Sequence, residues 1–300
     1  PESPAEIEVA PARPFSLPPL PSRPKPPIAP LPRLGGFEVA VIDELDVMHP
    51  EEGLLASPSR DPDRLAANHL WDAASRTIRL QAARGEVVAF QVVVKGDGVP
   101  AAAPELTFEG APIPVEFGRY ENVPNEHRLV ADPIVPLDRP EMNPIRRPRS
   151  RSLHVELYAP KDAAPGVHRG SLSLKAAEAR LVLPVELTVL PFAMPDHLGF
   201  VAEMNCYGLP RNERDYYRLA HAHRTVLNRV PYSQSGKVAD GCAPVWDGTR
   251  LDWDAWDHRF GPYLDGSAFA DLPRAGVPIE CFYLPMHENW PTPMDGAYDG

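Results

Sequence analysis

The feature that most constrains this chain is a succession of short apolar runs of period two between residues 37 and 190. In Leu153-His-Val-Glu-Leu-Tyr158, Leu153, Val155 and Leu157 fall on one side of an extended strand, while His154 and Glu156 fall on the other. That alternation marks a sheet buried on one face. Residues 37–42, 77–82, 86–94, 105–108, 115–120, 167–174 and 181–190 read the same way. About eight such strands with no helical period between them predict an Ig-like β-sandwich over residues 37–195. Residues 122–151 lack a period and are rich in Pro and Arg, which predicts a long excursion from the sheets.

Residues 1–36 carry 12 of the 39 prolines and no period of either kind. Proline fixes φ and has no N–H, so this tract reads as a polyproline II spacer or as a disordered tail. Neither carries chemistry. A spacer in this place suggests tethering to the cell envelope through the N-terminal arm.

After Pro195 the period changes. Residues 199–205 are strand-like, and Asn212-Glu-Arg-Asp215 has the form of a helix start. Tyr216, Leu219, Ala220, His223 and Leu227 then predict an amphipathic helix of about four or five turns. A second strand is expected at 230–233 and a loop over 234–251. A second helix should open at Asp252, with Trp253, Trp256, Phe260 and Leu264 on one stripe. A third strand is expected at 277–284. Strand and helix in alternation imply a parallel sheet with crossovers. The expected fold class is therefore multidomain β and α/β, with the sandwich followed by a partial (β/α)8 (TIM-type) barrel over 196–300. A full barrel needs ~200 residues or more, so this one is expected to stop part-way round.

Composition excludes some functions. The net charge is −11, and the most basic run, Arg146, Arg147, Arg149 and Arg151, is broken by Pro148. Nucleic acid is therefore not an expected partner. No apolar run reaches the ~18 residues of a membrane span. Cys206, Cys242 and Cys281 lack CxxC spacing, so neither a zinc cluster nor a disulfide framework is expected. One pair can still bridge if the protein is exported. No cofactor or metal is expected, because HExxH, P-loop, GxSxG and GxGxxG motifs are absent from the sequence. In His221-Ala-His223 the two rings lie about 200° apart on a helix, which favours structural or solvated histidines over a metal pair. The Asp43-Glu44 step reads as a solvated turn edge.

Chemistry in parallel α/β units gathers at strand carboxyl ends. Glu203-Met-Asn-Cys-Tyr207 places Glu203 and Asn205 on one face, with Tyr207 beyond them. These groups are suited to hydrogen-bonding sugar hydroxyls; alternatively Glu203 pairs with an arginine of the first helix. Pro285-Met-His-Glu-Asn-Trp-Pro291 concentrates His287, Glu288, Asn289 and Trp290. An indole platform among polar groups suits a pyranose ring, though a capped loop around a packed Trp is the plainer alternative. Tyr232 and Arg229 approach the same rim, where packing is the better account.

Several phrases together resemble glycoside hydrolase family 123-like proteins. They are Leu80-Gln-Ala-Ala-Arg-Gly-Glu-Val-Val-Ala-Phe-Gln-Val-Val-Val94, Tyr158-Ala-Pro-Lys-Asp-Ala-Ala-Pro-Gly-Val-His-Arg-Gly170, Leu183-Pro-Val-Glu-Leu-Thr-Val-Leu-Pro-Phe192, Asp252-Trp-Asp-Ala-Trp-Asp257 and His287-Glu-Asn-Trp290. The resemblance implies a β-N-acetylhexosaminidase-like, substrate-assisted enzyme with an adjacent Asp-Glu pair late in its barrel. No Asp-Glu step follows residue 196, so no catalytic residue transfers to this sequence. The expected partner is a glycan or glycoconjugate, and the expected location is secreted, periplasmic or cell-surface. The alternative function is a non-catalytic carbohydrate-binding or cell-surface protein. A third reading makes Glu203 and Glu288 the acid and base of a different barrel hydrolase.

Overall fold

The computed structural model describes residues 28–56, 63–110, 112–126, 128–230 and 241–283. The fold is mostly β. In chain order the first strands are β1 (Arg33–Leu34), β2 (Phe37–Ile42), β3 (Met48–His49), β4 (Leu54–Leu55) and β5 (Trp71–Asp72). The long strands follow as β6 (Thr77–Arg84), β7 (Glu86–Lys95), β8 (Ala103–Phe108), β9 (Val115–Asn125), β10 (Arg128–Pro136), β11 (Ser150–Ala159), β12 (Gly166–Ala176) and β13 (Ala179–Ala193). They build a six-stranded sheet, β1-β2-β7-β11-β9-β10, and a five-stranded sheet, β5-β6-β13-β12-β8.

Both sheets feed one hydrophobic core. Val39, Val41, Phe90, Val92, Val155 and Leu157 come from the first, and Ile78, Leu80, Leu172, Leu174, Leu183 and Leu187 from the second. In β13, Leu181, Leu183, Val185, Leu187 and Val189 are buried while Val182, Pro184 and the other intervening residues are not. Period two thus translates directly into burial. Strand β7 reads as a nearly continuous apolar run because its second face is covered too. There Val93 packs with Ile42 and Met48, and the Gln91 amide donates to the carbonyls of Asp43 (3.0 Å), Glu44 (3.1 Å) and Asp46. Gly85, at φ +79°, is the single residue between β6 and β7, where the chain leaves one sheet for the other. A side chain there would adopt a left-handed backbone against the Lys161 stem.

Two expectations are corrected in this part. The sheet begins before residue 37, because Arg33–Leu34 pairs with β2 and Leu34 is buried. The excursion is shorter than 122–151: β9 runs on to Asn125 and β10 returns along it to Pro136. Its two prolines are tolerated because β10 is an edge strand with a register shift between Ala131 and Ile134, where Asp132 and Pro133 sit. Residues 137–149 form the excursion that remains.

Beyond Ala193 come β14 (Glu203–Cys206), α1 (Glu213–Ala222), β15 (Val226–Arg229), the short hairpin β16 (Val245–Trp246) and β17 (Leu251–Asp252), α2 (Asp254–Leu264) and a 3-10 turn, Ser267–Phe269. β14 and β15 pair in parallel across α1, which is one β-α-β unit. A barrel is not seen among the described residues.

The details differ from the sequence reading in five ways. The first helix is shorter, since Arg224 takes a left-handed φ of 58° and the β-branched Thr225-Val226 starts the next strand. Its buried face is Tyr217, Ala220 and His221, while Tyr216 and Leu219 are exposed. The second strand therefore lies at 226–229, before the expected 230–233. In α2 the buried stripe is Trp256, Phe260 and Tyr263; Trp253 and Leu264 are exposed. Residues 277–283 form no strand ladder: Pro278 has no N–H to give, and the Ile279 N–H is taken by the Tyr263 carbonyl at 3.0 Å.

Candidate functional site

The β14–β15 pair has two faces of different character. Met204, Cys206, Leu227 and Arg229 share one, by strand alternation and register. Leu227 and Cys206 on this face join the cluster of Tyr217, Trp256, Phe260 and Phe269. Glu203, Asn205, Val226 and Asn228 share the other. Here Glu203 and Asn205 are exposed, and Asn228 is buried.

Glu203 is the focus of that second face. It accepts a hydrogen bond from the Cys281 thiol at 3.1 Å and from the Tyr283 hydroxyl at 2.8 Å. Asn228 Nδ2 reaches the same Cys281 sulfur at 3.8 Å. The donated bonds, Cys281 first and then Tyr283, hold the Glu203 carboxyl below the usual carboxylate range. A general acid needs the opposite shift. Glu203 is therefore an acceptor at neutral pH. It also opens β14, so it lies at the amino end of the strand, and Asn205 lies nearer the carboxyl end. Its alternative pairing with a helix arginine is not what forms.

The arginines of this region serve another carboxylate. At the carboxyl end of the pair, Glu213 of α1 receives Arg259 through two bonds, 2.6 and 2.8 Å, and Arg229 at 3.3 Å. Arg259 and then burial set the balance, and the Glu213 carboxyl lies below its ordinary range. This clamp ties α1, β15 and α2 together. Tyr207 lies beyond the strand end and is exposed. Tyr232, His287, Glu288, Asn289 and Trp290 fall outside the described residues. Cys281 and Tyr283 were missed in the sequence as partners of Glu203; their i, i+2 spacing within an apolar segment was the available signal.

No protein-family model matches the chain, and no curated protein sequence does. Among solved structures, one similar chain is a family 123 glycoside hydrolase from Clostridium perfringens, described for glycolipid glycan hydrolysis. It is 12% identical at a TM-score of 0.33, over 48% of this chain and 27% of that one. The chain thus spans little more than a quarter of that enzyme. The titin M3 domain is 13% identical at a TM-score of 0.19, over 38% of this chain and 88% of that domain. Likenesses this weak do not decide what the chain does.

A second cluster of titratable groups joins β11 to the end of α1. His223 Nε2 lies 2.9 Å from Glu156 Oε2, and His154 Nε2 lies 3.5 Å from the same oxygen. The Tyr120 hydroxyl donates to the Glu44 carbonyl at 3.0 Å beside them. The bond to Glu156 raises the His223 pKa to about 9. Burial would raise Glu156, but His154 and His223 outweigh it and bring it to about 2. This is a packing contact between the sheet and the helix end, with both histidines structural.

Its sign with pH is definite. The His223 contribution is complete below its unfolded value of about 6.5 and is lost as pH rises through about 9. His223 is 38% exposed, so solvent screening leaves the contact worth about 1 kcal/mol or less. His223→Gln is expected to lower the urea midpoint at pH 6 and to match the wild type at pH 10. The same offset at both pH values would show that the ion pair contributes nothing.

Proposed function

We propose that this chain is part of a carbohydrate-active protein, and that residues after 196 form one side of a glycan-binding mouth. The observation that carries this reading is the exposed, ionised Glu203 carboxylate with the Tyr283 hydroxyl at 2.8 Å and Asn205 on the same strand face. Sugar hydroxyls are donors and acceptors together. A carboxylate acceptor flanked by a phenol and a carboxamide matches them without any large desolvation cost. The phrases resembling family 123 glycoside hydrolases support the same class and extend it. In that extension the two sheets are an Ig-like sandwich acting as support, and 196–300 begins a (β/α)8 barrel. Substrate-assisted hexosaminide hydrolysis would then need an adjacent Asp-Glu pair, which residues 196–300 do not carry. Asn205, Tyr207, Tyr232, His287, Glu288, Asn289 and Trp290 are the further proposed glycan contacts. An exported or cell-surface location, with the proline-rich arm as tether, belongs to the same proposal.

The low Glu203 pKa favours binding over turnover by this chain, which argues against Glu203 as an acid. Titration of the chain with β-N-acetylhexosaminide disaccharides tests the reading. Binding is expected, and Glu203→Gln should weaken it about tenfold, the effect of one charged hydrogen bond. Tyr283→Phe should weaken it by a smaller factor. No binding, or binding indifferent to both changes, would end the proposal.

A further inference from the structure

A cleft of about 450 Å³ opens in the six-stranded sheet, far in sequence from Glu203. Its origin is topological. β9 pairs with β11 only from Val115 to Arg119, opposite Leu153 to Leu157. Beyond Arg119, β9 stays with β10 and parts from β11. The gap between the two strands is roofed by residues of the 137–149 excursion.

That roof is fixed in place. Glu121, 1% exposed, accepts from the N–H groups of Met142 (3.1 Å) and Asn143 (3.3 Å) and from Arg119 Nη2 (3.1 Å). Asn122 and Asn143 exchange amide-to-carbonyl bonds of 3.2 and 2.7 Å. Arg119 Nη2 also donates to the Pro140 carbonyl at 2.8 Å. Arg151 pairs with Glu141. A preformed cavity of this size falls within the range used for small ligands, roughly 300–1,000 Å³.

The lining indicates the ligand. Val94, Ala102, Leu137, Ile145 and Leu153 give it apolar walls. Arg119, Arg139, Arg151 and Lys175 contribute four cations against the two carboxylates Glu121 and Glu141, a net of +2 in a chain of net −11. Both carboxylates are already engaged by Arg119 and Arg151, and Lys175 faces Glu105 outside the lining at 3.8 Å, which leaves Arg139 as the cation open to a ligand. Among the described residues the Arg139 side chain has no acid partner, and it is exposed at the rim. Ser152 Oγ and Arg119 Nε are buried there without a hydrogen-bond partner. Ser152 is itself only 5% exposed. Buried polar atoms left open beside apolar walls are what a bound polar head would satisfy.

We infer that this cleft is a binding site for a small amphiphilic anion, with an apolar body against Val94 and Leu153 and an acidic head toward Arg139, Arg119 and Ser152. The cationic excess of the lining favours an acidic head over a neutral sugar. The site stands independently of the glycan reading.

Calorimetric titration of the chain with octanoate and with octan-1-ol tests it. Octanoate should bind, and octan-1-ol should bind about tenfold more weakly, the worth of one charge-assisted hydrogen bond. Arg139→Gln, at an exposed position, should weaken octanoate binding by a similar factor. Ala101→Trp, also exposed and lining the cleft, should abolish it by filling the space. Glu203→Gln should leave octanoate binding unchanged, which separates this site from the glycan face. Absence of octanoate binding, equal binding of the alcohol, or unchanged affinity in both cleft variants would overturn the inference.

Discussion

Glu121→Ala is expected to destabilise the two-sheet core region by about 3 kcal/mol, the cost of breaking a buried ion pair from one side. Burial alone would push the Glu121 carboxyl up. The Asn143 N–H and the Arg119 guanidinium outweigh it and hold the group below the ordinary carboxylate range. Its contribution is therefore complete above its unfolded value of about 4.5 and is lost as pH falls through the lower folded value. Removing it leaves the Arg119 charge, with its side chain 13% exposed, without its acid. It also frees two backbone N–H groups of the 137–149 roof. The global effect should appear as a lower urea midpoint with an unchanged slope. The local effect should appear as faster trypsin cleavage after Arg146, a bond that is not followed by proline. Glu121→Gln should fall between wild type and Glu121→Ala, because the amide keeps one acceptor oxygen. A wild-type midpoint and cleavage rate in Glu121→Ala would mean that the roof is held by Asn122, Asn143 and Arg151 alone.

The strands were legible because burial and alternation are the same fact in a sheet with one covered face. β2 coincides with its sequence reading, 37–42, and β13 alternates over nearly its whole length. β10 was illegible for an equally physical reason. Pro133 and Pro136 are breakers in a central strand, but at an edge the missing N–H faces no partner. The cleft could not be read at all, since it depends on where β9 parts from β11, and pairing is a property of two distant segments. The helix faces were misjudged through hydrophobicity. Leu219 outranks His221 on any scale, yet His221 is buried because its ring stacks on Phe269 at 4.0 Å and finds a carbonyl. For the candidate site, alternation brought out Glu203 and Asn205. The groups that set the Glu203 charge state, Cys281 and Tyr283, lie almost 80 residues later and came only from the fold.

His221 should make the region after residue 196 lose stability with acid. Its Nε2 lies 2.9 Å from the Val277 carbonyl, which assigns the proton to that nitrogen, and Nδ1 is buried without a partner. Taking a second proton would place a charge at Nδ1 with nothing to receive it, close to the buried Arg274. Burial first, then Arg274, lowers the His221 pKa to about 4 from an ordinary 6.5. The unfolded chain thus binds the proton before the folded chain does. Stability is full above about pH 6.5 and falls as pH drops toward 4. Between pH 7 and 4.5 this one group should remove roughly 2 kcal/mol. Hydrogen exchange of 213–229 at the two pH values reads the loss where it occurs. His221→Phe keeps the stack on Phe269 and gives up the Val277 bond, about 1 kcal/mol at every pH. It should therefore be less stable at pH 7 and much less sensitive to acid. Nitrogen-15 shifts of the ring report the tautomer directly, and a ring protonated on both nitrogens at pH 6 would remove the basis of the prediction. If His221→Phe loses as much protection as the wild type on acidification, the acid response belongs instead to the Glu280–Arg274 pair, 3.0 Å apart beneath it.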